Sequence, residues 1–412
     1  MTNFVHNKIN TVTLIFLISV FIPFPPFIFG VYGEVSSLLV VFFIFVALSG
    51  LGDGKIDKSA FLVFVTLFLL LLISLVRDSE RVFKDFVELS RPLMWFLTYS
   101  VFYSLCWVTD VDKLISRILF FLYLVAAWGI IEVFIPDGVF FHNLYKLEGS
   151  VYRNKAIASF IAPYSFAAVM GLGFAISYAR LRSGSLSLIK GYFIVGLFLT
   201  SILLAQSKSG ILGVFIILLA YELRYPRYSS FLLMIIVFLS LYYFIMVSNI
   251  TPYVQSFISI VWNTYLDSGT RGLVGSSPSI GNRVEQLEAV ISKIDTLPLI
   301  GAGIGKGYLY LESLYALWLF RYGLLGYLVL AVVCINGIIV CRKLRKNFEV
   351  NSIEGALLTA FPFITLYFFV VSISSNVIDQ FRVALFYIAF LAIIRAIYMR
   401  QKFVGLRAIN YN

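Results

Sequence analysis

About twelve runs of apolar residues, each close to the roughly 20 that a helix needs to cross a bilayer, recur along this 412-residue chain. They lie near 11–30, 35–51, 59–76, 92–108, 117–135, 157–178, 191–205, 211–223, 229–247, 319–340, 355–374 and 382–399. Inside lipid every backbone N–H and C=O must find a partner within the protein, so runs of this length fold as helices. Only 13% of the residues are charged and 60% are hydrophobic, where a soluble domain is about 25% charged. The fold class expected is an all-α, polytopic membrane helical bundle of about 12 transmembrane helices with one large extracytoplasmic loop. The first run ends in Pro23, Pro25 and Pro26, lacks a small-residue cleavage site, and reads as an uncleaved first helix.

Three regions follow. Residues 1–247 hold about nine spans, 248–318 form the one long polar interval, and 319–412 hold about three more spans and a tail. An even count puts both termini on one side. Short loops on that side carry Lys55/Lys58, Lys113/Arg117, Arg180/Arg182/Lys190, Arg224/Arg227 and Arg342/Lys343/Arg345/Lys346, and the tail carries Arg400, Lys402 and Arg407. The positive-inside rule makes that side cytoplasmic, so 248–318 faces outward. One loop dissents: Asp78–Arg91 falls outside yet carries Arg81, Lys84 and Arg91, matched by Asp78, Glu80, Asp85 and Glu88. It reads as an amphipathic helix lying on the membrane.

Several functions are disfavoured. The net charge is +11, but its basic residues are spread over short loops, which argues against nucleic acid. Two histidines and three cysteines (Cys106, Cys334, Cys341) offer neither a metal-ligand spacing nor a disulfide framework. No metal or cofactor is expected. No internal repeat is visible, and a single late loop weighs against a transporter with inverted halves.

Outward basic residues need a reason, because the same rule depletes them. They include Arg153, Lys155, Lys208, Arg271, Arg283, Lys293, Lys306, Arg321 and Arg382. Several sit within a few residues of a span end, where they can meet an anion at headgroup depth. Arginine suits phosphate because its planar fork binds two oxygens at once. Lys208 lies in the tight turn Gln206-Ser207-Lys208-Ser209-Gly210, where a snorkelling lysine is the plainer reading. Arg153 precedes Phe160 and Pro163, and could be an ordinary charged helix start. Arg283 heads a stretch in which Val284, Leu287, Val290 or Ile291, and Ile294 recur at helical spacing. That predicts a helix laying those residues on the bundle, with Glu285, Glu288, Ser292 and Asp295 opposite; a solvated Arg283 paired with a glutamate is the plainer reading. Pro298-Leu299-Ile300-Gly301-Ala302-Gly303 is a glycine-rich return whose N–H groups could face phosphate, with Lys306 beside it. Glu312 stands just before the tenth span, placed as a general base or as a simple cap. Glu132 is a second carboxylate near that depth, and His142 a weaker base candidate.

Taken in order, these pieces resemble the O-antigen polymerase and ligase superfamily of bacterial membrane glycosyltransferases. The resemblance rests on the topology, the Gln206–Gly210 turn, Arg283 followed by the Pro298–Gly303 return, Glu312-Ser313-Leu314-Tyr315 leading into Tyr322-Gly323-Leu324-Leu325-Gly326, and Arg153 with Phe160 and Pro163. Lys208 stands where the family usually has arginine. The histidine that ligases place near Glu312 is missing, which favours the polymerase branch.

The resemblance implies an enzyme of the bacterial cytoplasmic (inner) membrane with both termini cytoplasmic. It would join undecaprenyl-pyrophosphate-linked oligosaccharide units at the outer face, transferring the growing glycan to the non-reducing end of an acceptor unit. Catalytic roles would fall to Arg283, Glu312, Arg153 and Lys208. Arg271, Lys306, Arg321, Arg382 and Tyr315 would bind substrate, with Tyr152, Tyr308 and Tyr310 as further sugar-stacking rings. Partners would be the lipid bilayer, a chain-length regulator and a flippase. The rival readings are a ligase-type transferase and a lipid-linked oligosaccharide flippase or transporter.

Overall fold

The computed structural model describes residues 56–78, 80, 82–134, 155–160, 162–226, 278–294, 299–305, 311–349 and 351–409. The described residues form helices α1 (Lys58–Arg77), α2 (Phe83–Glu88), α3 (Ser90–Val108), α4 (Val111–Phe134), α5 (Pro163–Ser183), α6 (Leu188–Leu204), α7 (Lys208–Arg224), α8 (Pro278–Lys293), α9 (Leu314–Arg345), α10 (Ile353–Ser372) and α11 (Phe381–Ile409), with no strand among them. Helices therefore stand at nine of the twelve apolar runs. The runs at 11–30, 35–51 and 229–247 lie outside the described residues, as does most of the polar interval before Pro278. α1, α4, α9, α10 and the Arg382–Phe403 part of α11 are long and apolar enough to cross a membrane, and α6 is a shorter apolar helix. α1 leaves Phe61, Leu62, Leu69 and Val76 exposed, the surface of a helix that faces lipid rather than water.

α5 is the axis of the bundle. Seventeen of its 21 residues are buried, and α6, α7, α10 and α11 pack around it. Small residues on α5 permit the close approach. The Tyr367 ring of α10 rests on Gly171 of α5 and Gly213 of α7, and its hydroxyl donates to the Ala167 carbonyl at 2.6 Å.

The helices alternate in direction, so the bundle has two ends. At one end Asp57 accepts from Tyr99 (2.9 Å) and Arg395 (3.1 Å), and Arg182 pairs with Glu222 at 3.0 Å. Lys58, Lys113, Arg117, Lys190, Arg224, Arg342, Lys343 and Lys346 also belong to helix termini at this end. The other end gathers the α1–α3, α4–α5, α6–α7 and α10–α11 connections with the start of α9, and it carries the candidate site.

α9 is broken inside its apolar length. Gly323 adopts φ 62°, ψ −165°, a backbone region essentially reserved for glycine. A break frees carbonyls that a bilayer cannot hydrate. Segment 299–305 supplies the missing partners: Ala302 and Gly303 donate to the Phe320 carbonyl (2.8 and 3.3 Å), and Leu325 N–H donates to the Leu299 carbonyl at 3.1 Å. Ser74 of α1 donates to the Arg321 carbonyl at 2.5 Å. The glycine-rich return is thus a plug for a helix break. Its following N–H groups are also taken, since Ile304 and Gly305 donate to Asp78 Oδ2 at 2.8 and 3.3 Å. A Cβ at Gly301 would lie 2.2 Å from the Arg321 carbonyl oxygen. Gly301→Val is therefore expected to destabilise the protein by about 1–3 kcal/mol through overpacking, read as a lower melting temperature in detergent.

Two sequence expectations are revised. The 78–91 segment does not lay its charged face outward, because Asp78, Asp85 and Glu88 are all buried. Asp85 accepts from Val82 N–H at 2.7 Å, and the other two bind α9 and its plug. The rotation of α8 also differs. Leu287 and Ile291 are exposed, while Val290 is buried with Ala316, Leu317 and Phe320. Polar contacts set this rotation: Arg283 and Gln286 share a face with Val290 at helical spacing, and both find partners on the bundle.

Candidate functional site

Arg283, in the first half of α8, reaches the α10–α11 connection. Its Nε and Nη2 donate to the Ser374 carbonyl at 3.3 and 3.0 Å. The same Nη2 forms an ion pair with Glu312 Oε2, and the two side chains are 22% and 27% exposed. Glu312 is held from behind, its backbone N–H donating to Gln286 Oε1 at 2.9 Å. Ser313 then caps α9 with extended backbone (φ −70°, ψ 133°), so Glu312 stands just ahead of the helix.

Lys208 approaches from the α6–α7 turn. Gln206 there has φ 53°, a left-handed conformation costing of order 1–3 kcal/mol for a non-glycine residue. Ser207 caps α7 by accepting from Gly210 N–H at 3.2 Å, which sets Lys208 as the first helical residue. Ser209 meets the Arg283 anchor directly, its Oγ 2.5 Å from Ser374 Oγ. The connection before α5 brings a third cation, Lys155. Ala156 N–H donates to the Leu204 carbonyl at 3.0 Å, and Ala158 at φ 45° turns the chain back. Glu132 of α4 accepts from the N–H groups of Ile157 (3.1 Å) and Ala158 (2.8 Å). Arg382 of α11, buried, donates to the Ser159 carbonyl. Glu132 and Arg382 therefore shape the loop that presents Lys155.

The cations feel one another. Burial holds the Lys208 ammonium down to about 8, and the charges of Lys155 and Arg283 push the same way. Burial lowers Lys155 as well. Like charges brought together raise the free energy of the protonated forms, and a cluster of this kind stabilises an anion placed among its members.

Arg321 is engaged elsewhere. It is 3% exposed, and its Nη1 lies 2.7 Å from both Glu88 Oε2 and Asp379 Oδ2. Its Nε donates to the Ile304 carbonyl at 3.2 Å, and Glu88 also pairs with Arg91. The guanidinium is a clamp between α2, the α9 break and the α10–α11 connection. Tyr315 is likewise held between helices, its hydroxyl donating to the Phe369 carbonyl at 2.9 Å and its ring stacked on Tyr327.

The structure thus brings Arg283, Glu312 and Lys208 together and adds Lys155 to them. Arg321, Arg382 and Tyr315 serve the frame around the site. Arg153, Arg271, Lys306, His142, Tyr152, Tyr308 and Tyr310 lie outside the described residues. Sequence reasoning named Lys155 only as one of many outward cations and Ser209 only as part of the turn around Lys208, and it missed the Ser374 carbonyl altogether. A backbone acceptor leaves no signature in residue type. Neither a scan against protein-family models nor a search of curated proteins finds a match to this chain.

Proposed function

We propose that the chain is a membrane glycosyltransferase that polymerises undecaprenyl-pyrophosphate-linked oligosaccharide units. The observation that carries this reading is the meeting of Lys155, Lys208 and Arg283 with the Glu312 carboxylate at a single end of an apolar helical bundle. A lipid-linked pyrophosphate presents its charge at the depth where the spans end. The opposite end carries most of the basic helix termini, so the positive-inside rule puts it in the cytoplasm and the site on the outer face. The bundle is read as about twelve spans with the polar interval outside, in a bacterial inner membrane.

In the reaction an acceptor hydroxyl oxygen attacks the anomeric carbon of the donor glycan. The bond from that carbon to the pyrophosphate oxygen breaks, and its electron pair leaves with the polyprenyl pyrophosphate. The hydroxyl proton passes to Glu312. Fixed cations stabilise the charge gathering on the leaving group, and Arg283, Lys208 and Lys155 are placed for this. Polymerisation is preferred to ligation because no histidine stands near Glu312 in the sequence.

The test is the surface glycan of a strain lacking the gene, with and without the wild-type copy, resolved on a gel. Core carrying a single repeat, restored to a ladder by the wild-type copy, is the expected result. Loss of every capped form points to ligation or flipping, and an unchanged ladder removes the glycan role.

A pH dependence follows from Lys208. Its ammonium is charged below about pH 8, so the cluster loses one positive charge as pH rises through that value. Polymerisation by the purified protein is expected to fall on that alkaline side. Lys208→Arg, which stays protonated, is expected to move the fall upward by more than one pH unit. An alkaline limb identical in both proteins would place its origin in another group.

A further inference from the structure

Resting on the reading of this cluster as a phosphate site, we infer that Glu312 is a built-in counter-ion, exchanged for the donor's pyrophosphate before it can act as a base. The structure places the base candidate against a guanidinium, with its Oε2 engaged there. The arrangement around Arg283 is asymmetric. The neutral Ser374 carbonyl takes Nε and Nη2 (3.3 and 3.0 Å) and can stay when an anion arrives. The charged partner on Nη2 is Glu312, about a quarter exposed. Ion pairs with that much solvent are weak, and a diphosphate offers the guanidinium more oxygens than one carboxylate does.

The exchange needs only a side-chain swing. The Glu312 backbone is pinned by Gln286 and by the start of α9, and Arg283 keeps its carbonyl anchor. Charge favours it too. Lys155 and Lys208 lie close enough for Lys208 to feel both the Lys155 and the Arg283 charge, so an anion entering here meets a cationic surround. Donor binding thereby releases the carboxylate beside the place where the acceptor hydroxyl must lose its proton. Acceptor activation follows donor loading, and a site without donor has its base engaged.

The experiment is calorimetric titration of the full-length protein in detergent near pH 7 with inorganic pyrophosphate. Glu312→Gln and Glu312→Ala are expected to bind about two- to fivefold more tightly than wild type, the scale of a weak ion pair removed. The gain must run through Arg283, so Arg283→Ala/Glu312→Gln is expected to bind no better than Arg283→Ala. Equal or weaker binding by the Glu312 variants overturns the inference and leaves the phosphate site standing. A gain that persists in the Arg283→Ala background also overturns it, since Glu312 would then act through its field alone. Absence of binding by every form overturns both the inference and the reading beneath it.

Discussion

Arg321→Met is expected to cost the protein about 3–5 kcal/mol, the penalty for removing one partner of a buried ion pair. Glu88 and Asp379 are 1% and 2% exposed at their side chains, and Asp379 Oδ1 already lacks a hydrogen-bond partner. Without the guanidinium, two buried carboxylates lose the cation they share, while Glu88 keeps its pair with Arg91. Lysine is expected to rescue little, because a point charge cannot span Glu88, Asp379 and the Ile304 carbonyl as the planar fork does. The measurement is yield from membranes and the melting temperature in detergent. Adding Asp379→Asn to Arg321→Met is expected to recover part of the loss, which identifies unpaired charge as its cause. Activity should fall only in step with the folded protein.

Arg283→Ala is expected to do the reverse. Its pair with Glu312 is partly exposed, and such pairs contribute roughly 0–1 kcal/mol, so yield and melting should barely change. The proposed transfer reaction should suffer far more. Removing one fixed charge from a transition-state site lowers turnover by about 100- to 1,000-fold. Polymerisation by the purified variant, normalised to folded protein, is the readout. An Arg283→Ala enzyme at wild-type rate would remove this arginine from the site.

These two arginines mark what the sequence could and could not say. Both stand at the outward end of the chain as read from hydropathy, and nothing local separates them. What does so is distance along the chain: the Glu88 partner of Arg321 is 233 residues away, whereas Arg283 meets a carbonyl and a solvent-touched carboxylate. Helix positions were legible because lipid forces long apolar runs into one conformation. The gathering of Lys208, Arg283 and Glu312 at one end was legible as shared sidedness. The rotation of α8 was not, since its apolar period gave no weight to Gln286 and the Glu312 N–H. Nor was the role of Ile300-Gly301-Ala302-Gly303, whose N–H groups looked available until the break at Gly323 gave some of them carbonyls to meet.

That break also works as a ruler. Unbroken, the 32 residues of α9 would run about 48 Å at 1.5 Å each, well past a hydrocarbon core of about 30 Å. From Leu324 to Arg345 there are 22 residues, about 33 Å, which matches one bilayer leaflet pair. The nine residues from Leu314 to Tyr322 are the surplus over that length, and the Arg321 clamp holds them against α2 and the α10–α11 connection. Glu312 is tied to that short piece and so inherits its height. On the transferase reading proposed above, turnover is expected to vary with acyl-chain length, because the 22-residue span after the break sets the height of Glu312.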